Sequence, residues 1–434
     1  MSRHEELLAR HRAVLPEWIG LTYDKPISLV AGKGRHVTDA EGNRYLDFFG
    51  GILTTSIGHD IEEITAAIVG QASRILHTST LYLIEQEIEL AEKIARRSGI
   101  PDAKVFFTNS GSEANETALL LATEFRRSPV VLALRNSYHG RSFATMAVTG
   151  NRSWSASALS PLRVTFLDAG GRGGPFADRL GDDLVEAVRR DVEYLFQTAI
   201  PADPACVIYE PVQGVGGFVL PPTGVLGAIN DVVTAHGGLS ISDEVQTGWG
   251  RTGASYFGFG LHGLQPDMFT FAKGLANGLP IGGVVARADV MDCIGSHSIS
   301  TFGGNPLVAA AANATLDYID SHDLVHHVDL AGAHLVAGLS SLCVDSRTVK
   351  EVRGVGLMVA VEFTRPDDSA PDPDAAAAML EALRLEGVLV GRGGLDSNVL
   401  RIAPPMSVTI EEIDVALESF ERALRRTTGA AVSH

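Results

Sequence analysis

The chain has 434 residues, 35 of them Lys or Arg and 52 Asp or Glu, for a formal net charge of −17. At 45% hydrophobic and 20% charged it has the mixture of an ordinary globular protein, long enough for roughly two or three domains. The acidic balance excludes a nucleic-acid surface, which needs clustered positive charge, and opposes docking on an anionic membrane. The expected partners are small molecules and other copies of the chain. Cys206, Cys293 and Cys343 are too scattered for a disulfide framework or a zinc ribbon. Residues 1–18 (MSRHEELLARHRAVLPEW) show no apolar leader core or small-residue cleavage site, and no apolar run reaches bilayer length. A cytoplasmic location is expected.

Taken in chain order, a short helix opens the sequence, and residues 37–49 (VTDAEGNRYLDFF) read as a hairpin turning at Glu41-Gly42-Asn43. Seven short apolar runs follow: Lys104–Phe107, Val130–Leu134, Val164–Leu167, Cys206–Tyr209, Leu239–Ser242, Met268–Phe271 and Gly283–Ala286. Rich in β-branched and aromatic residues, they read as strands buried on both faces. Helical patterns fit between them, for example at Ser112–Phe125 and Pro222–His236. This alternation predicts an α/β fold with a mostly parallel seven-stranded sheet covered by helices. Ala169–Asp182 and Thr364–Asp374, dense in Gly, Pro and Asp, read as surface loops. In the last third, helices are expected at Asp329–Ser341 and Pro373–Glu386, around an apolar segment at Gly356–Phe363. The expected organisation is a large domain over residues 61–320 and a smaller α+β domain built from both chain ends, 1–60 and 321–434.

Chemistry in such a sheet collects beyond the carboxyl ends of its strands, and four strand ends here carry unusual residues. After KVFF comes TNSGSEANE (108–116), running straight into a helix. Its small residues leave amides exposed at a positive helix terminus, which suits a phosphate; simple capping by Ser110 or Ser112 is the competing reading. After CVIY comes EPVQGVGG (210–217), but Val219 stands where a dinucleotide fingerprint needs its third glycine. Gly354-Val355-Gly356 fails the same test at Val359, and no P-loop is present. Asp243 follows LSIS, where a buried acid needs a cation or donors, a demand that capping of the next turn also meets. Lys273 follows MFTFA; desolvation there makes a usable amine nucleophile, although a lone lysine more often snorkels to water. The clustered His326, His327 and His334 lie on a polar helical stretch, and no metal site is expected.

Jointly, a phosphate cradle, a buried carboxylate and a nucleophilic lysine at neighbouring strand ends are what pyridoxal 5′-phosphate requires. Over nearly its whole length the chain resembles the class III (ω-type) aminotransferases, pyridoxal-phosphate enzymes of fold type I. The stretches that carry the resemblance, in matching order and spacing, are NSGSEAN (109–115), YHGR (138–141), EPVQGVGG (210–217), DEVQTGWGRTG (243–253), AKG (272–274), TFGGNP (301–306) and RIAPP (401–405). HTST (77–80) is more loosely similar to the alanine–glyoxylate type 2 branch.

The resemblance implies that Lys273 carries the cofactor through a Schiff base and that Asp243 pairs with the pyridine nitrogen. Gln246 would meet the ring hydroxyl, Tyr138 the ring face, and Gly111 and Ser112 the phosphate. Glu210 would stand behind them near Gln246, and Thr301 would reach the phosphate of a neighbouring subunit, making an active homodimer. Arg401 would bind a substrate carboxylate, with Arg141 a second candidate and surface salt bridging the alternative for either; Ile52 would line an apolar wall. Many ω-amino-acid members carry glutamate where this chain has Val215, a partner that masks the Arg401-type arginine. Its loss turns the expectation from 4-aminobutyrate and ornithine toward the alanine–glyoxylate and ω-amino-acid–pyruvate branches. The implied reaction moves an amino group from an amino acid or amine to a 2-oxo acid by a ping-pong mechanism. An aminomutase or amino-acid epimerase would use the same lysine and aspartate without net transfer.

Overall fold

The computed structural model describes residues 3–156, 159–171 and 174–428. Of the expected loop at Ala169–Asp182, residues 172 and 173 lie outside the described residues, as do the chain ends at 1–2 and 429–434.

Seven strands form the central sheet: β1 (Ala103–Thr108), β2 (Val130–Leu134), β3 (Arg163–Leu167), β4 (Cys206–Tyr209), β5 (Leu239–Asp243), β6 (Met268–Ala272) and β7 (Gly282–Arg287). Their spatial order is β1-β7-β6-β5-β4-β2-β3, with β7 antiparallel to both neighbours and the other pairs parallel. Only residues 273–281 join β6 to β7, fewer than the roughly dozen that a parallel crossover needs, so the strand returns antiparallel. All seven apolar runs read from the sequence are strands here, each within a residue or two of its expected bounds.

Strand alternation explains why those runs are apolar throughout. Val131, Ala133, Cys206 and Ile208 pack under helix α1 (Gly111–Arg126). Val130, Leu132, Leu134, Val207 and Tyr209 point the other way, onto α2 (Gly181–Thr198) and α3 (Val225–Ala235). With both faces covered, every position in these strands is buried.

The chain ends meet in two smaller sheets. Leu29–Lys33, His36–Asp39 and Arg44–Asp47 form an antiparallel meander, and Val388–Leu389 pairs parallel to its last strand. Val349–Val355, Met358–Phe363, Val399–Ile402 and Gly391–Gly393 form the second. The helix expected at Asp329–Ser341 runs from Leu324 to Cys343. Its apolar face begins earlier, at Leu324 and Val328, than the polar look of His326-His327 implies, and tertiary burial extends it. Among the described residues no helix is long and apolar enough to cross a membrane, and all three cysteines are free.

One buried carboxylate fixes the loop that leaves β5. Glu244 Oε1 accepts from Ser242 Oγ at 2.8 Å and from the Phe259 amide at 2.9 Å. Its Oε2 accepts from Thr247 Oγ1 and from the Gly258 amide. Burial pushes its pKa up, while these four donors oppose the rise. Each oxygen takes one backbone N–H, so an amide in its place must aim its NH₂ at a donor that cannot turn away. Glu244→Gln is therefore expected to cost about 1–3 kcal/mol in urea unfolding; an unchanged midpoint would contradict this network.

Candidate active site

The carboxyl ends of β1, β2, β4, β5 and β6 open on a cavity of about 380 Å³. Gly111, Ser112, Tyr138, Glu210, Asp243, Gln246 and Lys273, far apart in sequence, all line it.

Asp243 ends β5 with 4% of its surface exposed. Its Oδ2 accepts from Asn115 Nδ2 at 2.7 Å and from His139 Nδ1 at 2.8 Å, and its Oδ1 from the Val245 amide at 3.1 Å. Asn115 is held in turn, donating to the His139 carbonyl at 2.8 Å and accepting from Thr270 Oγ1 at 2.6 Å. Donors of this kind fix the direction of a buried carboxylate. The far nitrogen of the ring, His139 Nε2, is buried without a partner.

Glu210, at the end of β4, accepts from the Tyr138 amide and from the Gly214 amide, both at 2.9 Å. Burial raises its pKa, and the charge of Asp243 adds to the rise against the opposing His139. It thereby joins the Tyr138 loop to the glycine-rich stretch at 214–217, and Gly214 packs on the Gln246 side chain. The buried Oε1 of Gln246 has no hydrogen-bond partner among the described residues. Tyr138 is half-buried and meets Trp154 edge-on, ring centroids 5.4 Å apart.

Lys273 stands directly after β6 with its backbone in the left-handed region, φ 46°, a conformation that costs a non-glycine residue about 1–2 kcal/mol. Such strain marks residues whose direction the surroundings dictate. Its side chain is half-buried and faces the cavity. Burial lowers its pKa to about 8, a shift that Asp243 and Glu210 oppose and Arg401 reinforces.

At the other end of the cavity α1 begins. Ser110 caps it, its side chain accepting from the Glu113 amide at 3.2 Å, which decides between the two serines. Gly111 lies where a Cβ would sit 2.9 Å from the Val245 methyls, so only glycine gives so close an approach to the first amides of the helix. Ser112 Oγ accepts from the Arg141 amide at 3.1 Å.

Four sequence-expected residues do not line this cavity within one chain. Arg401 is 4% exposed on the strand Val399–Ile402, and no carboxylate pairs with it. Its Nη1 donates to the Gly214 carbonyl at 3.3 Å, and Phe49 and Phe218 lie against its guanidinium. Burial lowers its pKa to about 10, which leaves it charged at neutral pH. Arg141 is exposed, its guanidinium over the Trp18 ring at 5.6 Å. Thr301 is exposed beside Ser300, whose Oγ accepts from the cavity residue Asn109 at 3.2 Å. Ile52 is 46% exposed in a left-handed turn, with φ values of 52, 60, 68 and 60° from Gly50 to Leu53.

Sequence reasoning assigned no role to His139, Asn115, Phe49 or Phe218. The first two stand inside the quoted YHGR and NSGSEAN stretches, and a buried acid in need of donors was the signal that could have found them. Phe49 ends the hairpin stretch at 37–49 and Phe218 follows the glycine-rich stretch at 210–217, and neither carries a signal of its own.

The family model for class-III aminotransferases matches residues 22–424. Among curated proteins, the chain is 34% identical to the mitochondrial alanine–glyoxylate aminotransferase 2 homolog 2 of Arabidopsis thaliana, over 97% of this chain and 87% of that one. It is 37% identical to the acetylornithine aminotransferase of Methanothermobacter thermautotrophicus, over 95% and 97%. Among solved structures, an amine transaminase from an uncultivated Pseudomonas species, bound to pyridoxal phosphate, aligns with a TM-score of 0.86 and 30% identity over 93% and 96%. A phospholyase from Arthrobacter, in complex with phosphoethanolamine, aligns with a TM-score of 0.87 and 32% identity over 96% and 99%. The chain belongs to the class III aminotransferase family and is an enzyme of that class, with an amino donor and an oxo acid as its substrates. The family and its pyridoxal-phosphate-bound neighbour imply that cofactor. The residues present fit it: an unpartnered Gln246 Oε1, a glycine at a helix N-terminus, a clamped carboxylate and an amine without a partner all face one cavity.

The depressed pKa of Lys273 has a direct chemical readout. Burial disfavours the ammonium, so in cofactor-free protein the neutral amine reaches half its full population near pH 8 rather than 10.5. Competitive acetylation followed by peptide mass spectrometry is expected to give Lys273 a midpoint near pH 8. A midpoint near 10.5 would remove desolvation from the account.

Proposed function

We propose that this enzyme moves an amino group from an amino acid, alanine-like or ω-amino, or from an amine to a 2-oxo acid such as pyruvate, glyoxylate or 2-oxoglutarate. The observation that carries this reading is one cavity walled by the clamped carboxylate of Asp243 and the desolvated amine of Lys273, at the ends of adjacent strands. Pyridoxal phosphate, when bound, supplies an electron sink that lets a substrate lose the proton on its nitrogen-bearing carbon.

The chain's own residues do the rest. Lys273 Nζ would hold the cofactor, and as a free amine it would be the base that takes that proton and returns it. Its lowered pKa supports this, because a base works best near the operating pH. Asp243 keeps a proton on the pyridine nitrogen. Its direction is set by Asn115 and His139, so no reorganisation is needed when charge develops. Gly111 and Ser112 hold the phosphate at the positive end of α1. Tyr138 offers a flat neighbour, Gln246 a contact for the ring hydroxyl, and Glu210 positions both loops.

Arg401 receives a substrate carboxylate. A buried guanidinium without an acidic partner supports that role, and Val215 leaves it unmasked. Arg141 is the second candidate and Ile52 part of the rim. A homodimer with Thr301 reaching the neighbour's phosphate accounts for the exposure of Thr301, and of Phe302, Leu81, Tyr82 and Leu83 at 59, 75, 70 and 93%.

Lys273→Ala is expected to abolish turnover and the visible absorbance of the lysine-bound cofactor, and Asp243→Ala to lower kcat by about 10²–10³-fold or more. The deciding measurement is a half-reaction screen of the holoenzyme with alanine, β-alanine, 4-aminobutyrate, ornithine, a simple aromatic amine and phosphoethanolamine. Loss of visible absorbance with a donor, restored by pyruvate or glyoxylate, is the expected result. Racemised or internally shifted donor without lasting absorbance loss would overturn it in favour of an isomerase. Phosphate released from phosphoethanolamine without amino transfer would overturn it in favour of a lyase.

A further inference from the structure

Arg401 poses a problem that its own hydrogen bonds do not solve. Its side chain is 4% exposed, and among the described residues its Nε is buried without a partner and its one hydrogen bond is a 3.3 Å contact to the Gly214 carbonyl. Among the described residues no carboxylate lies within ion-pair distance of it, and the more distant charge of Glu210 only partly opposes the effect of burial. What lies against the cation instead is aromatic: the guanidinium carbon is 5.0 Å from the Phe49 ring centroid and 5.6 Å from that of Phe218.

Several local features serve this arrangement. Phe218 is a non-glycine residue at φ 52°, 2% exposed, in a tight loop closed by two backbone hydrogen bonds between Gln213 and Val219. A phenylalanine held in the left-handed region is aimed by its surroundings. On the neighbouring strand, Gly391 stands directly across from Arg401, and a Cβ there would strike the Phe49 ring. At Gly393 a Cβ would lie 2.8 Å from Arg401 Nε and 3.0 Å from its Cδ. Two glycines thus clear the floor on which the ring and the guanidinium lie.

We propose that Phe49 and Phe218 are specificity-determining residues: they fix Arg401 as a standing receptor for the substrate's carboxylate, so that carboxylate-bearing donors and acceptors are favoured over amines that lack one. This rests on the reading of Arg401 as the carboxylate receptor. An arginine masked by a mobile acid can retire when an uncharged group enters. One held between two fixed rings stays, and an apolar amine then meets a buried charge.

The test uses holoenzyme carrying Phe218→Leu, Phe49→Leu, Phe49→Tyr or Arg401→Gln. The readouts are KM and kcat for pyruvate, the Kd of the unreactive probe propionate by calorimetry, and the alanine to 1-phenylethylamine ratio of kcat/KM. Either leucine variant is expected to raise the pyruvate KM and the propionate Kd together by about 5- to 30-fold, with the effect on KM rather than kcat. The same variants shift the ratio toward the amine, and Phe49→Tyr, which keeps the ring, restores the parent values. If Arg401→Gln weakens propionate while both leucine variants bind it like the parent, the proposal is overturned and the receptor reading stands. If Arg401→Gln leaves propionate binding unchanged, the receptor reading fails and the proposal with it. Phe49 lies at the edge of its cluster, so Phe49→Leu decides the matter should Phe218→Leu fold poorly.

Discussion

At the end of β5 a buried carboxylate collects donors from two segments distant in sequence, Asn115 on α1 and His139 after β2, and from the Val245 amide beside it. The same bonds tie α1, the Tyr138 loop and β5 into one frame. Thr270, on β6 two residues before the last of that strand, donates to Asn115 and extends the frame to the strand that presents Lys273. The direction of the carboxylate and the position of the amine are therefore set by one hydrogen-bonded unit. The rest of the sheet serves to bring its parts to one edge.

A second requirement is the opposite one. Where Asp243 is satisfied, Lys273 is left unsatisfied, without hydrogen bond or ion pair, desolvated and on a strained backbone. An amine stabilised by a salt bridge would be a poor nucleophile and a poor base at neutral pH. The carboxylates are near enough to temper the desolvation and too far to pair with it. That balance leaves the amine at about 8, where both protonation states are accessible.

The sheet was legible because its strands are buried on both faces, and uninterrupted apolar runs such as VVLAL and CVIY permit few other readings. Strand-end residues such as Asp243 and Lys273 were legible for a related reason: a charge beside a buried run must be compensated or used. Less of the site was readable where function depends on pairing across long separations. His139 and Asp243 meet over 104 positions, and nothing local to either says so. Phe49, Phe218 and Arg401 come from three separate segments, and the glycines that let them stack read as ordinary turn residues. The early start of the Leu324–Cys343 helix was hidden for a simpler reason, since its histidines look polar until Val328 is seen buried beneath them.

The site is also divided between two parts of the fold. Every residue that lines the cavity near Lys273 comes from the central sheet and its loops or from the 50s turn, whereas Arg401 stands on a strand of a small sheet built by the C-terminal segment. The cavity and Arg401 thus rest on different scaffolds that meet at Gly214, whose carbonyl accepts from Arg401 and whose amide donates to Glu210. A change in the small sheet or in the 214–218 loop alters what the arginine sees without moving Asp243 or its donors. Val215 sits in that loop, buried, its carbonyl accepting from the Gly394 amide at 3.0 Å. Valine there brings no charge to Arg401, and the faces of Phe49 and Phe218 lie beside the guanidinium without competing for its N–H groups.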